Sequence, residues 1–122
     1  MEHIVYKDTI PYIPAIESGK VIKVYDGDTI TIATKLPHDN EHVYRFSVRL
    51  RGIDCPEMRK ADEKEKAILA RDFVSQRIMH KMVVLKDIGI EKYGRILANV
   101  YYEGENISTS LLEANLAKKY GS

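Results

Sequence analysis

The chain has 122 residues, a length that fits one domain and leaves little room for a second. Hydrophobic residues make up 44% and charged residues 30%, which excludes disorder as the dominant state. Nineteen basic and eighteen acidic residues give a net charge of +1, so the overall charge indicates no particular partner, and the single Cys55 excludes an internal disulfide and a multi-cysteine zinc site.

The start of the chain predicts an extended segment that leads into the domain. Pro11 and Pro14 favour extended backbone, so we predict an arm over residues 1–18 and one domain over residues 19–122. No apolar run approaches the roughly 20 residues that span a bilayer, and no secretory signal is visible. We therefore expect a cytoplasmic location and no membrane partner, with secretion of an already processed chain as the alternative. We also expect a monomer.

Strand patterns begin at Lys20. The β-rich run over residues 21–25, the Asp26-Gly27 turn and the alternation over residues 29–32 predict a tight hairpin. Residues 35–42 are predicted to be a polar loop. The next strand alternates between an apolar face formed by Tyr44, Phe46, Val48 and Leu50 and a polar face formed by Arg45, Ser47, Arg49 and Arg51.

Helices and further strands follow in the second half. Helical spacing predicts a helix over residues 62–80, and residues 81–87 and 95–102 read as strands. Asn106 is a suitable cap for a final helix that runs to about Ala114. The order β-β-β-α-β-β-α predicts an α+β fold that is mainly β, a five-stranded OB-fold barrel with helices packed against it.

Three charged segments, YDGDT, RLRGIDCPE and EKYGR, stand where turns are expected. Each alone is most simply a turn, a solvated face or a loop. Together they offer two carboxylates, Asp28 and Asp54, to a hard divalent cation, and Glu57 as a general base beside it. Arg49 and Arg95 offer planar paired donors to a phosphate. These residue types form a site for phosphodiester hydrolysis.

The same segments carry a resemblance to a known family. In order along residues 19–119, the motifs VIKVYDGDTI, VRLRGIDCPE, KYGRILANVYYEG and LLEANLA resemble the staphylococcal nuclease (thermonuclease) family. This resemblance implies an OB-fold nuclease that cleaves DNA and RNA with Ca²⁺ as cofactor and leaves 3′-phosphate products.

The resemblance assigns the residues around the metal. Asp28 and Asp54 match the two calcium carboxylates, and the backbone carbonyl of Cys55 matches the next calcium ligand. Glu57 matches the residue that activates or orients the attacking water, and Asp26 matches a supporting carboxylate that is not a ligand. Cys55 stands where the family prototype has threonine.

The resemblance also assigns the residues that contact the nucleic acid. Arg49 and Arg95 match the arginines that grip the scissile phosphate, with Arg95 near the leaving 5′-oxygen. Lys92 and Tyr93 match residues on the terminal 3′-phosphate side of a bound nucleotide. Tyr120 is assigned to the base-stacking tyrosine, although it lies one position out of register.

Two alternatives stay open at this point. Domains of this fold also occur as inactive modules that bind nucleic acid or protein. The presence of all five metal, base and arginine residues favours the enzyme. In the loop over residues 35–42, His38, Asp39, Glu41 and His42 form either a solvated hairpin tip, which we favour, or a second metal site.

Overall fold

Five strands close into a barrel in the computed structural model, which describes residues 1–120. The barrel strands are β1 (Ser18–Asp26), β2 (Thr29–Leu36), β3 (Asp39–Leu50), β5 (Met82–Ile90) and β6 (Ile96–Tyr102), and the shorter strands are β4 (Ile53–Asp54), β7 (Glu105–Asn106) and β8 (Lys118–Lys119). The hydrogen-bonded order in the barrel is β3-β2-β1-β5-β6, and a parallel pairing of β3 with β6 closes the ring. The predicted fold class is confirmed.

The β1–β2 hairpin forms as predicted around the Gly27-Asp28 turn. Val21 and Val24 of β1 are buried in the core, opposite Ile32 and Ile30 of β2. Two register shifts in β1 increase the local twist, which a small closed barrel needs. The hairpin therefore carries Asp28 to one end of the barrel.

The prediction of a polar loop over residues 35–42 is wrong. β2 extends to Leu36, and β3 starts at Asp39, so only two residues make the turn. The Oδ1 atom of Asp39 accepts hydrogen bonds from the backbone N–H groups of Glu41 and His42, at 2.9 and 3.1 Å. These bonds stabilise the start of a strand whose composition is that of a loop.

The extended hairpin also changes the expected apolar face of β3. Val48 and Leu50 are buried as predicted, and Phe46 is half-buried against the core. Tyr44 lies on the part of the hairpin that projects beyond the core, so 38% of it is exposed. Its hydroxyl donates to Asp39 Oδ2 at 2.5 Å.

In the described part of the chain, two α-helices cover the barrel. Helix α1 (Lys64–Ile78) packs against β1 and buries the residues of its apolar stripe, Ala67, Ala70, Val74 and Ile78. Helix α2 (Ile107–Glu113) begins at Asn106, whose side chain accepts from the N–H of Ser108 at 2.9 Å. This is the predicted N-cap.

The short β4–β8 pair was not predicted, because two-residue strands carry no periodic pattern. Ile53 pairs with Lys119 and Asp54 with Lys118, and the N–H of Tyr120 donates to the carbonyl of Gly52 at 3.0 Å. The pair holds the chain after α2 against the residues that follow β3.

The segment before β1 contains a one-turn 3-10 helix (Tyr6–Asp8) and extended backbone. Ile16 is buried in the barrel core, whereas several other large apolar side chains of this segment, among them Tyr6, Ile10 and Tyr12, are exposed. The division of the chain at residue 18 stays a prediction. No helix within residues 1–120 combines the length and apolar character that crossing a membrane requires.

We predict that Gly27→Ala lowers the free energy of unfolding by about 1–3 kcal/mol, measured by urea denaturation. A Cβ at this position would lie 2.8 Å from the Cβ of Ala70 and 2.9 Å from the Sγ of Cys55, where the hairpin packs against α1. Gly89→Ala is the matched control, because its closest contact is the end of the flexible Arg51 side chain. Equal stability of the two variants would contradict this account of the packing.

Candidate active site

One cleft at the end of the barrel contains every residue that the sequence assigned to the nuclease site. It is lined by Asp26, Asp28, Arg49, Asp54, Cys55, Glu57, Lys92, Tyr93, Arg95 and Tyr120. The residues come from the end of β1 and the β1–β2 turn, the end of β3, β4 and the segment that follows it, the β5–β6 loop and the end of the described chain. Folding therefore brings together side chains that lie up to 94 residues apart, from Asp26 to Tyr120.

The guanidinium of Arg49 lies between the two carboxylates of the candidate metal site. Its Nη1 atom is 3.2 Å from Asp28 Oδ2, and its Nη2 atom is 3.5 Å from Asp54 Oδ1. Nη2 also donates to the carbonyl of Ile53 at 3.2 Å. The buried Nη1 atom makes no hydrogen bond within residues 1–120, because its approach to Asp28 lacks hydrogen-bond geometry. Arg49 thus keeps a buried donor for another acceptor.

Asp28 is buried and ties the hairpin turn to the segment after β4. Its Oδ2 atom accepts from the backbone N–H of Cys55 at 2.8 Å, and its Oδ1 atom accepts from the Thr29 hydroxyl at 3.2 Å. Its backbone carbonyl accepts from the N–H of Leu50 at 2.9 Å. These bonds fix the carboxylate, which therefore needs little reordering to bind a ligand.

Glu57 lies at the mouth of the cleft between two cations. Its carboxylate is 3.0 Å from Lys60 Nζ and 3.4 Å from Arg59 Nη2. The hydrogen bond from Lys60, followed by the charges of Lys60 and Arg59, holds the pKa of Glu57 below its usual value despite an opposing effect of desolvation. Glu57 is therefore ionised at neutral pH and can accept a hydrogen bond or a proton from water.

Asp26 supports the segment that carries Glu57. Its Oδ1 atom accepts from the N–H of Met58 at 3.4 Å. Burial raises the pKa of Asp26, and the bond from Met58 partly offsets this effect. The contact links the end of β1 to the backbone beside Glu57.

Arg95 is held by a carboxylate that the sequence analysis did not single out. Glu91 Oε1 accepts a hydrogen bond from Arg95 Nε, and Glu91 Oε2 accepts one from Arg95 Nη2, both at 3.2 Å. The same Oε1 accepts from the N–H groups of Tyr93 and Arg95, at 3.0 and 2.9 Å. These hydrogen bonds lower the pKa of Glu91. In the sequence, the four-residue spacing of Glu91 and Arg95 could have indicated this ion pair.

Aromatic side chains border the cleft on two sides. The ring centroid of Tyr120 is 5.7 Å from the guanidinium carbon of Arg49, and 62% of Tyr120 is exposed. Tyr93 is also exposed, with Lys92 Nζ 5.0 Å from its ring centroid. Exposed rings beside cations are suited to stacking against bases.

The donor chemistry of the cleft fits a hard cation. No group of three His, Cys, Asp or Glu side chains within residues 1–120 is placed to hold a metal ion. Asp28 and Asp54, the two carboxylates that Arg49 contacts, would be the side-chain donors, and the rest of a shell would come from backbone carbonyl groups and water. Such a set of oxygens suits Ca²⁺, which tolerates irregular shells, and does not suit Zn²⁺.

Comparison with known proteins gives consistent matches. A family model described as staphylococcal nuclease homologue matches residues 47–122. A Haemophilus influenzae protein named "Uncharacterized endonuclease" is 36% identical over 102 residues, which cover 83% of this chain and 51% of that protein. An Escherichia coli protein of the same name is 30% identical over 111 residues, 90% of this chain and 65% of that protein. The chain thus spans about half to two thirds of the length of these relatives.

We predict that Cys55 resists alkylation by iodoacetamide in the native protein at pH 8 and reacts fully after unfolding. Its side chain is buried, and burial, followed by the nearby charges of Asp28 and Asp54, raises the pKa of the thiol to about 12. The thiolate, which is the reactive form, is therefore scarce. Mass spectrometry with and without urea measures the modification, and rapid native labelling would contradict the prediction.

Proposed function

Because the chain belongs to the staphylococcal nuclease homologue family, we propose that it is a nuclease that hydrolyses phosphodiester bonds of DNA or RNA. We further propose that Ca²⁺ supports this reaction and that the products carry 3′-phosphates. The observation that carries the proposal is the meeting of Asp28, Arg49 and Asp54 in the cleft that Glu57 and Arg95 also line. The names of the two relatives agree with it.

The two arginines supply the binding site for the scissile phosphate. Arg49 has a buried Nη1 donor without a hydrogen-bond partner within residues 1–120, and a phosphate oxygen would satisfy it. Glu91 fixes the plane of Arg95 and leaves Nη1, which is 3.5 Å from the Thr29 hydroxyl, for a second oxygen. Negative charge grows on the phosphoryl oxygens during attack, so these donors bind the transition state more strongly than the ground state.

Glu57 is the candidate base for the attacking water. Its carboxylate takes a proton as the water oxygen bonds to phosphorus, and the bond from phosphorus to the 5′-oxygen breaks. The departing 5′-oxygen takes a proton from solvent water, and the phosphate stays on the 3′ side. A Ca²⁺ ion bound by Asp28 and Asp54 would polarise the phosphate and offset its charge.

The remaining cleft residues are proposed to hold the rest of the nucleotide. Lys92 and Tyr93 would contact its terminal phosphate side and Tyr120 would stack against a base, which their position in the lining of the cleft supports. Gel cleavage of single-stranded DNA with Ca²⁺, with Mg²⁺ or with EDTA tests the activity directly. Binding of DNA without cleavage under any divalent ion would favour the inactive binding module instead.

We predict that excess Ca²⁺ raises the melting temperature of the protein and that Asp54→Asn removes most of this increase. The ion binds only the folded site, so it stabilises the native state by mass action. Cleavage by the variant falls and recovers partly at high Ca²⁺. Asp62→Asn, a change on the exposed segment before α1, is the control that keeps the full response.

Two results would contradict this metal site. One is an equal thermal response of Asp54→Asn and the unchanged protein. The other is turnover with Mg²⁺ alone that equals or exceeds turnover with Ca²⁺, since Mg²⁺ demands a regular octahedral shell.

We predict that Glu57→Gln lowers kcat by about a hundredfold or more while nucleotide binding is retained, because the amide cannot take the proton. Arg95→Lys is also strongly impaired, since it keeps the charge but loses the planar fork. Cleavage of denatured DNA measures both, and Glu65→Gln on the exposed face of α1 serves as the control. If both cleft variants cut as fast as the unchanged protein, these assignments are wrong.

A further inference from the structure

Arg51 lines the cleft, but the proposed reaction gives it no role. Four arginines line this cleft, and three of them pair with carboxylates: Arg49 with Asp28 and Asp54, Arg59 with Glu57, and Arg95 with Glu91. Arg51 forms no ion pair within residues 1–120. Its charge is therefore available to an anion from solution.

The backbone of β5 fixes the direction of the Arg51 side chain. Nε donates to the carbonyl of Asp87 at 2.5 Å, at a register shift in β5 where Asp87 has φ = 53°. Gly89 leaves space for the guanidinium, because a Cβ there would lie 2.7 Å from Nη2. The two Nη groups, which form the outer edge of the fork, make no hydrogen bond to residues 1–120.

The one carboxylate on this part of β5 is already engaged. Asp87 Oδ2 accepts from Asn99 Nδ2 at 2.7 Å, and no nitrogen of Arg51 lies within ion-pair distance of that carboxylate. Asn99 also lines the cleft, beside Arg51. The second hydrogen of its amide stays available as a donor. This corner of the cleft thus presents a guanidinium fork and an amide to an incoming acceptor.

The position of Arg51 relative to Arg49 defines which acceptor it suits. The two residues are two positions apart at the end of β3, so their Cα atoms are about 6–7 Å apart, on the scale of one nucleotide of an extended strand. Building on the proposed function, we propose that Arg51, assisted by Asn99, binds the phosphate next to the scissile one. The preferred substrate is then an oligonucleotide or polynucleotide with several consecutive phosphates.

A binding experiment separates this role from catalysis. The probes are a fluorescent single-stranded octanucleotide and a dinucleotide with one internucleotide phosphate, both with phosphorothioate linkages that resist hydrolysis. Anisotropy in the presence of Ca²⁺ gives Kd at several salt concentrations. The test variant is Arg51→Gln, and the matched control is Arg45→Gln, which removes an exposed charge from the same strand outside the cleft.

We expect Arg51→Gln to weaken octanucleotide binding about 5–20-fold and to reduce the magnitude of the salt slope by about 0.7, the value for one phosphate contact on a single strand. The dinucleotide Kd and the octanucleotide Kd of Arg45→Gln stay unchanged. A merely structural role of Arg51 would not produce a loss that depends on the number of phosphates.

Gly89→Ala provides a second variant that keeps every charge. The new Cβ displaces the guanidinium, so the octanucleotide binds more weakly, and the change adds no further loss to Arg51→Gln. Equal effects of Arg51→Gln on both probes, or equal effects of Arg51→Gln and Arg45→Gln, would overturn the inference and leave the proposed function intact. Failure of the unchanged protein to bind either probe would instead overturn the proposed function together with it.

Discussion

The guanidinium of Arg49 connects the end of β3, which carries it, with the β1–β2 turn through Asp28 and with β4 through Ile53 and Asp54. Arg49 and Asp28 are largely buried, with 15% and 9% of their side chains exposed. Removing one member of a buried ion pair typically costs about 3–5 kcal/mol, because the other charge is left uncompensated. The cleft and the end of the barrel therefore depend on the same contact, and a loss of function at either residue has to be separated from a loss of folding.

Regular elements of the fold were predictable because their patterns are local. The β1–β2 turn, the apolar stripe of α1 and the Asn106 cap each follow from a few neighbouring residues. The start of β3 was not predictable, because its stability comes from the way Asp39 binds backbone groups two and three residues away in a polar stretch. The β4–β8 pair depends on tertiary structure alone.

In the cleft, too, local patterns predicted some features, and others depend on the tertiary structure. Motifs identified the residues that line it, since they are dense in charged side chains of the types that phosphate chemistry uses. The partners of those residues were harder to predict: Lys60 changes the ionisation of Glu57, and Glu91 fixes Arg95. The orientation of Arg51, which forms no ion pair with residues 1–120, depends on the backbone of Asp87 and on the missing side chain of Gly89, so no spacing in the sequence indicates it.

The closure of the barrel has a consequence for the order in which the cleft is assembled. The parallel β3–β6 pairing joins residues 48–50 to residues 96–98, and Arg95 immediately precedes β6. Such distant contacts form late in folding, because they close a long loop. A partly folded chain that has formed β1, β2 and β3 can already hold Arg49 beside Asp28, but it cannot yet place Arg95 in the same cleft. The cleft is therefore complete only when the barrel is closed.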